Sequence, residues 1–131
     1  MRDRIFDALP GVPALAYLGD SVFETFVREK LVRSGIASSE ELNESAQKYV
    51  TAVRQSEGAL KILPLLSEDE TEIFKRGRNH RSKAHPKSAD IEEYRRATGI
   101  ETLFGALYLT GSTDRIKQLI DLMFCEGESE K

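Results

Sequence analysis

Apolar residues recur at three- and four-residue intervals over residues 13–32, and this spacing constrains the fold more than any other feature of the sequence. The residues that follow it are Leu15, Leu18, Val22 and Phe26. Such spacing is typical of a helix with one face against a core. Pro13 suits a first helical turn, where its missing N–H costs no hydrogen bond, and Ser34 with Gly35 suits a helix end. The segment therefore predicts one long helix.

Asp20 lies at the margin of the apolar face of this helix, beside Val27 and Leu31 on a helical wheel. A carboxylate so close to a core loses hydration, which costs free energy unless a cation, a metal or several donors compensate. Gly19 costs a helix up to about 1 kcal/mol relative to Ala, which predicts close approach of another helix or a ligand beside Asp20. Considered alone, Asp20 has the plainer interpretation of an acid at the solvent edge of an amphipathic helix.

Start and stop signals predict four further helices. Ser38 and Ser67 are each followed three residues later by Glu, the signature of a capping box. These two signals and the patterns of two later segments predict helices over about 39–62, 68–76, 89–111 and 113–124. The expected core residues of the helix over 39–62 include Leu42, Ala46 and Leu60. No alternating pattern predicts a strand. The prediction is an all-α compact helical bundle, one domain over residues 1–131 with a charged tail at about 126–131.

Cysteine content and hydropathy predict the compartment. Cys125 is the single cysteine, which fits a reducing compartment and an incidental residue. No leader is visible at the start of the sequence, and no apolar run approaches the ~20 residues that a membrane span needs. We therefore expect a soluble, cytoplasmic protein.

Positive charge is concentrated in one segment. The net charge of −3 argues against a general nucleic-acid coat protein, yet residues 75–87 contain six Lys or Arg and no acid. The rest of the chain is correspondingly more acidic. A compact basic segment on an acidic body predicts a local site for a polyanion.

Glu101 is the second carboxylate of interest. On the wheel it shares a stripe with Thr98 and Gly105, flanked by Tyr94 and Tyr108. Small residues around a carboxylate leave room for another helix, so Asp20 and Glu101 can converge where two helices cross. Facing carboxylates repel, and the pKa of one rises unless a cation lies between them. Mg²⁺ suits such a pair because it takes one or two protein carboxylates and completes its shell with water and phosphate oxygens.

Two strings resemble the signature motifs of the ribonuclease III family. Leu18-Gly19-Asp20-Ser21-Val22 is similar to its Leu-Gly-Asp motif, and residues 98–109 are similar to its second motif, a Glu before an Ala-Leu-Ile-Gly-type run. The likeness covers about residues 12–124. The strings at 15–20 and 75–79, the chain length and the lack of a double-stranded-RNA-binding domain after residue 124 resemble the Mini-ribonuclease III subfamily, which consists of the catalytic domain only.

The resemblance implies a ribonuclease III-type endonuclease domain that forms a homodimer. It also implies Mg²⁺-dependent hydrolysis of double-stranded RNA and maturation of the large-subunit (23S) ribosomal RNA precursor. Asp20 and Glu101 match the catalytic metal-site acids, and Tyr17 matches an aromatic residue of the dimer interface. Ala16 and Thr98 stand where full-length members have acids, which leaves two carboxylates per site.

We expect RNA to contact the basic segment and the start of the following helix, because duplex RNA is held mainly through phosphates and 2′-hydroxyls. The expected contact residues are Lys75, Arg76, Arg78, Asn79, Arg81, Lys83, Lys87 and Arg95. Two alternatives remain open from the sequence. One is a double-stranded-RNA-binding module without catalysis, and the other is a ribosome-associated helical interaction module whose basic segment contacts an acidic surface.

Overall fold

A computed structural model of the protein describes residues 8–80 and 90–124. Its α-helices are α1 (Val12–Arg33), α2 (Ser39–Val50), α3 (Ala52–Ile62), α4 (Glu68–Asn79), α5 (Ile91–Leu109) and α6 (Thr113–Met123), with a 3-10 helix at Leu63–Leu65. The described ranges contain no strand, which confirms the all-α prediction, and none of their helices is long and apolar enough to cross a bilayer. Cys125 and the tail at 126–131 lie outside the described residues.

Helix α5 forms the centre of the bundle, and α1 packs closely along it. The rings of Phe23 and Phe104 stack at 5.6 Å in the core between them. A Cβ at Gly19 would overlap the backbone carbonyl of Glu101, and a Cβ at Gly105 would overlap that of Leu15. The close approach that Gly19 predicted is therefore confirmed, and the neighbour is α5.

The single helix predicted over 39–62 is wrong, because Thr51 divides it. Thr51 has an extended backbone (φ −72°, ψ 157°), and its hydroxyl accepts a hydrogen bond from the Arg54 N–H at 3.3 Å as the N-cap of α3. Threonine offers the backbone this local alternative to a continuous helix. After the break, α3 turns Gln55 and Ala59 into the interior, whereas Leu60, predicted to face the core, is exposed.

The capping box predicted at the start of α4 is confirmed by two hydrogen bonds. The Glu70 N–H donates to Ser67 Oγ at 3.1 Å, and the Ser67 N–H donates to Glu70 Oε1 at 2.9 Å. The predicted end near residue 76 is wrong, because α4 continues to Asn79. Its last turn packs against α5, where the Thr102 side chain occupies the space that a Cβ at Gly77 would need. The basic segment therefore begins on a helix.

Candidate active site

Asp20 and Glu101 meet where α1 crosses α5. Asp20 is exposed on α1, and Glu101 is partly buried in the middle of α5. The two helices approach most closely through Gly19, the residue before Asp20, which rests on the Glu101 backbone. The carboxyl groups are consequently close enough for the charge of Asp20 to act on Glu101.

The proximity of these acids changes the chemistry of Glu101. Its pKa is raised from 4.5 to about 8, chiefly by burial and next by the negative charge of Asp20 and a hydrogen bond to the Asp20 carboxylate. The Gln55 side chain on α3 acts in the opposite direction through its own hydrogen bond to Glu101. Near neutral pH Glu101 is therefore mostly protonated unless a cation neutralises the two acids.

The donor set fits a hard divalent cation. Mg²⁺ is typically held by one or two carboxylates, with water and substrate phosphates in the remaining positions. Asp20 and Glu101 are the residues that would hold it. Within residues 8–80 and 90–124, no group of three or more His, Cys, Asp or Glu side chains is placed to bind a metal. The candidate site therefore consists of two carboxylates, as the departures at Ala16 and Thr98 implied.

A cleft of about 240 Å³ opens beside Glu101. Its walls come from the start of α1, the end of α4 and the first half of α5, and it is lined by Val12, Pro13, Ala16, Gly77, His80, Tyr94, Arg95, Thr98 and Glu101. Ala16 and Thr98, where the resemblance noted missing acids, both face this space. With only small or neutral side chains at these positions, the cleft has room for a substrate next to the carboxylate pair.

The structure divides the residues expected to bind RNA. Arg95 lines the cleft and lies 4.0 Å from Glu92. A second groove, with no lining residue in common with the cleft, contains Lys75, Arg76 and Asn79 together with two acids of α4. Arg76 pairs there with Glu72 at 3.6 Å.

The other expected contacts are less informative. Arg78 lines neither space and donates to Asn79 Oδ1 at 3.1 Å. Arg81, Lys83 and Lys87 lie outside the described residues. Among the described residues expected to contact RNA, Arg95 is therefore the one that lies in the cleft beside Glu101.

Sequence reasoning missed two residues at this site, Gln55 and His80, whereas it had placed Tyr94 beside Glu101 on the helical wheel. A signal existed for Gln55, since it precedes Ala59 and Ile62 at helical spacing and so belongs to a core-facing stripe. His80 enters the cleft because α4 ends beside the first turns of α5, a placement that depends on tertiary packing. No local pattern identifies such a placement.

Comparison with known proteins decides the family. The model of the Ribonuclease III domain matches residues 13–112, a segment that includes both acids and every residue of the cleft except Val12. The chain belongs to the ribonuclease III family. It is accordingly an endoribonuclease of the ribonuclease III type.

Relatives and a solved structure match most of the chain. The Mini-ribonuclease 3 of Brevibacillus brevis is 41% identical over 117 residues, which cover 88% of this chain and 87% of the relative. The Mini-ribonuclease 3 of Symbiobacterium thermophilum is 42% identical over 106 residues, 81% and 82% of the two chains. The crystal structure of a Fusobacterium nucleatum protein superposes with a TM-score of 0.78 at 31% identity and covers 95% of this chain and 96% of its own. The ribonuclease III assignment thus rests on sequence, and the fold is shared with a solved structure.

Proposed function

We propose that this ribonuclease III domain hydrolyses double-stranded RNA in a Mg²⁺-dependent reaction, and that the large-subunit (23S) ribosomal RNA precursor is its substrate. The observation that carries the proposal is the placement of Glu101 against Asp20 in the wall of a cleft. The similarity to Mini-ribonuclease 3 proteins over most of the chain supports the substrate class.

Each acid has a separate task in this proposal. Asp20 is exposed and presents its carboxylate to solvent and substrate, whereas partly buried Glu101 gives the site a fixed anchor on the central helix. Bound Mg²⁺ would supply a water of lowered pKa and stabilise the charge on the leaving 3′-oxygen. The protein's own contribution is to hold two carboxylates together despite their repulsion.

A homodimer would place two such sites on one duplex. Tyr17 is 86% exposed on α1, one turn before Asp20. A large aromatic side chain left so exposed is suited to an interface. We propose that Tyr17 contacts a second copy, so that two symmetry-related sites each cut one strand.

Arg95 is expected to contact a phosphate of the bound RNA. Changing Arg95 to Gln should weaken duplex binding and reduce the slope of log K against log salt by about one, because one counterion fewer is released. The measurement is filter binding in EDTA over a range of KCl concentrations. Lys48→Gln removes an exposed positive charge from α2, outside the cleft, and is the matched control. An unchanged slope for the Arg95 variant would exclude this contact.

The function is tested with three labelled substrates: an RNA duplex, the same RNA as a single strand, and a DNA duplex. We expect the wild-type protein to cut only the RNA duplex, to cut it in Mg²⁺, and to leave it intact in EDTA. Binding without cutting, on the simple duplex and on a structured ribosomal RNA precursor alike, would identify a binding module instead. Neither binding nor cutting would favour a protein-interaction domain.

A further inference from the structure

We propose that His80 contacts a ribose 2′-hydroxyl of the bound RNA and thereby helps the site to distinguish RNA from DNA. The inference rests on the proposed function, since it names a residue that would recognise the sugar of that substrate. His80 lies at the end of α4, outside both signature motifs, and was not among the residues expected from the sequence to contact RNA.

The position of His80 is fixed by the close packing of α4 on α5. His80 is the C-cap of α4, and its backbone N–H donates to the Gly77 carbonyl oxygen at 3.3 Å. A Cβ at Gly77 would overlap the Thr102 side chain and would lie only 2.9 Å from the Gly99 Cα, and both of these neighbours belong to α5. The end of α4 is therefore held against the middle of α5, with His80 exposed beside it.

This packing brings His80 into the cleft that contains Glu101. Both residues line the same space of about 240 Å³, His80 from the end of α4 and Glu101 from the middle of α5. Arg95 lines it as well, from the first half of α5. His80 and Arg95 thus offer nitrogen donors to one cleft from two different helices. An RNA strand that is cut beside Glu101 would contact the groups in this cleft.

The charge around these two donors differs. Arg95 is a cation, which favours a phosphate group. His80 stands at the C-terminal end of α4, where unpaired carbonyl groups carry a negative partial charge. The basic residues in the last turn of α4, Arg76 and Arg78, do not line this cleft. An anion is therefore disfavoured at the end of α4, whereas an uncharged polar group is accepted. We assign the phosphate contact to Arg95 and the ribose hydroxyl to His80.

The hydrogen-bonding groups of an imidazole match those of a hydroxyl. A neutral imidazole carries one donor and one acceptor, and the ribose 2′-hydroxyl likewise donates and accepts. Thr98 also lines the cleft, but its hydroxyl already donates to the Tyr94 carbonyl oxygen at 3.0 Å. The 2′-hydroxyl is the group by which a protein can tell RNA from DNA at a given position. A contact with His80 would therefore contribute to specificity.

The experiment combines single 2′-deoxy substitutions in an RNA duplex with His80→Leu in the full-length protein. Each nucleotide near the mapped cut is substituted in turn, and kcat/KM is measured at saturating Mg²⁺. We expect one substitution to lower kcat/KM of the wild type by about two- to tenfold, the effect of one hydrogen bond. His80→Leu should show the same loss on the unmodified duplex and no further loss on the modified one, because both changes remove one contact.

Gln47→Leu controls for the addition of an exposed leucine. Gln47 is exposed on α2 and does not line the cleft, so its replacement should leave kcat/KM and the 2′-deoxy effect unchanged. The salt dependence of duplex binding in EDTA gives a second readout that does not require Mg²⁺. His80→Leu should keep the wild-type slope, because no phosphate contact is lost.

Three results would overturn the inference while leaving the proposed function standing. The first is wild-type kcat/KM in His80→Leu, and the second is a 2′-deoxy effect of the same size in both proteins. The third is a salt slope reduced by about one in His80→Leu, which would identify a phosphate contact instead. A wild type that does not cut the RNA duplex in Mg²⁺ would overturn the proposed function and the inference together.

Discussion

Replacement of Glu101 by Gln is expected to lower the rate of duplex RNA cleavage by about a thousandfold or more while duplex binding is retained. The amide keeps the shape of the side chain but removes the charge that, in the proposed function, would hold Mg²⁺. A metal ion bound there would supply several kcal/mol of charge stabilisation in the transition state, and each 1.36 kcal/mol is about tenfold in rate. The measurement is single-turnover cleavage at excess enzyme, with binding followed by gel shift in EDTA.

Glu93→Gln is the matched control for this substitution. Glu93 is a partly buried acid in the first turn of the same helix and does not line the cleft. Its replacement should leave cleavage close to the wild-type rate. A Glu101→Gln protein that still cuts at that rate would show that the carboxylate pair is not the catalytic centre.

Gly19→Ala is expected to have the largest effect on stability of any single added methyl group on α1. The new Cβ would overlap the backbone carbonyl of Glu101, and a backbone atom cannot rotate aside as the end of a long side chain can. Overpacking typically costs 1–3 kcal/mol. Here we expect the free energy of unfolding, measured in urea, to fall by about 3 kcal/mol or more. The forced separation of α1 from α5 should also reduce cleavage by the molecules that remain folded.

Gly11→Ala controls for the general cost of replacing glycine. Its Cβ would meet only Pro13 Cδ at 3.8 Å, which is ordinary contact, so the unfolding free energy should change by about 1 kcal/mol or less. Wild-type stability in Gly19→Ala would mean that α1 and α5 do not pack through this glycine.

Local signals in the sequence were sufficient for much of the fold. The ends of α1 follow from Pro13 and Ser34, and the start of α4 follows from the Ser67 capping box. The crossing of α1 and α5 was also predictable, because Gly19 and Gly105 are costly in helices unless another helix approaches. In each case the determining residues lie within a few positions of the feature.

The missed features depend on contacts between distant segments. Thr51 can continue a helix or cap a new one, and burial of Gln55 and Ala59 against α5 favours the cap. The last turn of α4 persists to Asn79 because Gly77 packs on Thr102. Neither outcome follows from the residues of the segment alone.

The candidate site, like the fold, was predictable from the sequence only in part. Asp20 and Glu101 were identified because each lies in a recognisable motif. Composition predicted a local polyanion site over residues 75–87, but it could not say which surface each residue faces. Lys75 and Arg76 line a groove shared with acids of α4, whereas the cleft beside Glu101 is lined by Arg95 of α5.

The most direct test of the central claim is a calorimetric titration of Mg²⁺ into the wild type and Glu101→Gln at pH 7, in buffers of different ionisation enthalpy. The pKa of Glu101 is raised to about 8, so Glu101 is mostly protonated in the metal-free protein, and Mg²⁺ must displace that proton. We expect the wild type to release about one proton per bound ion, with affinity that rises as pH increases toward 8 and then levels off. Glu101→Gln should bind more weakly and release none. Equal affinity and equal proton release in the two proteins would contradict a metal site built on Asp20 and Glu101.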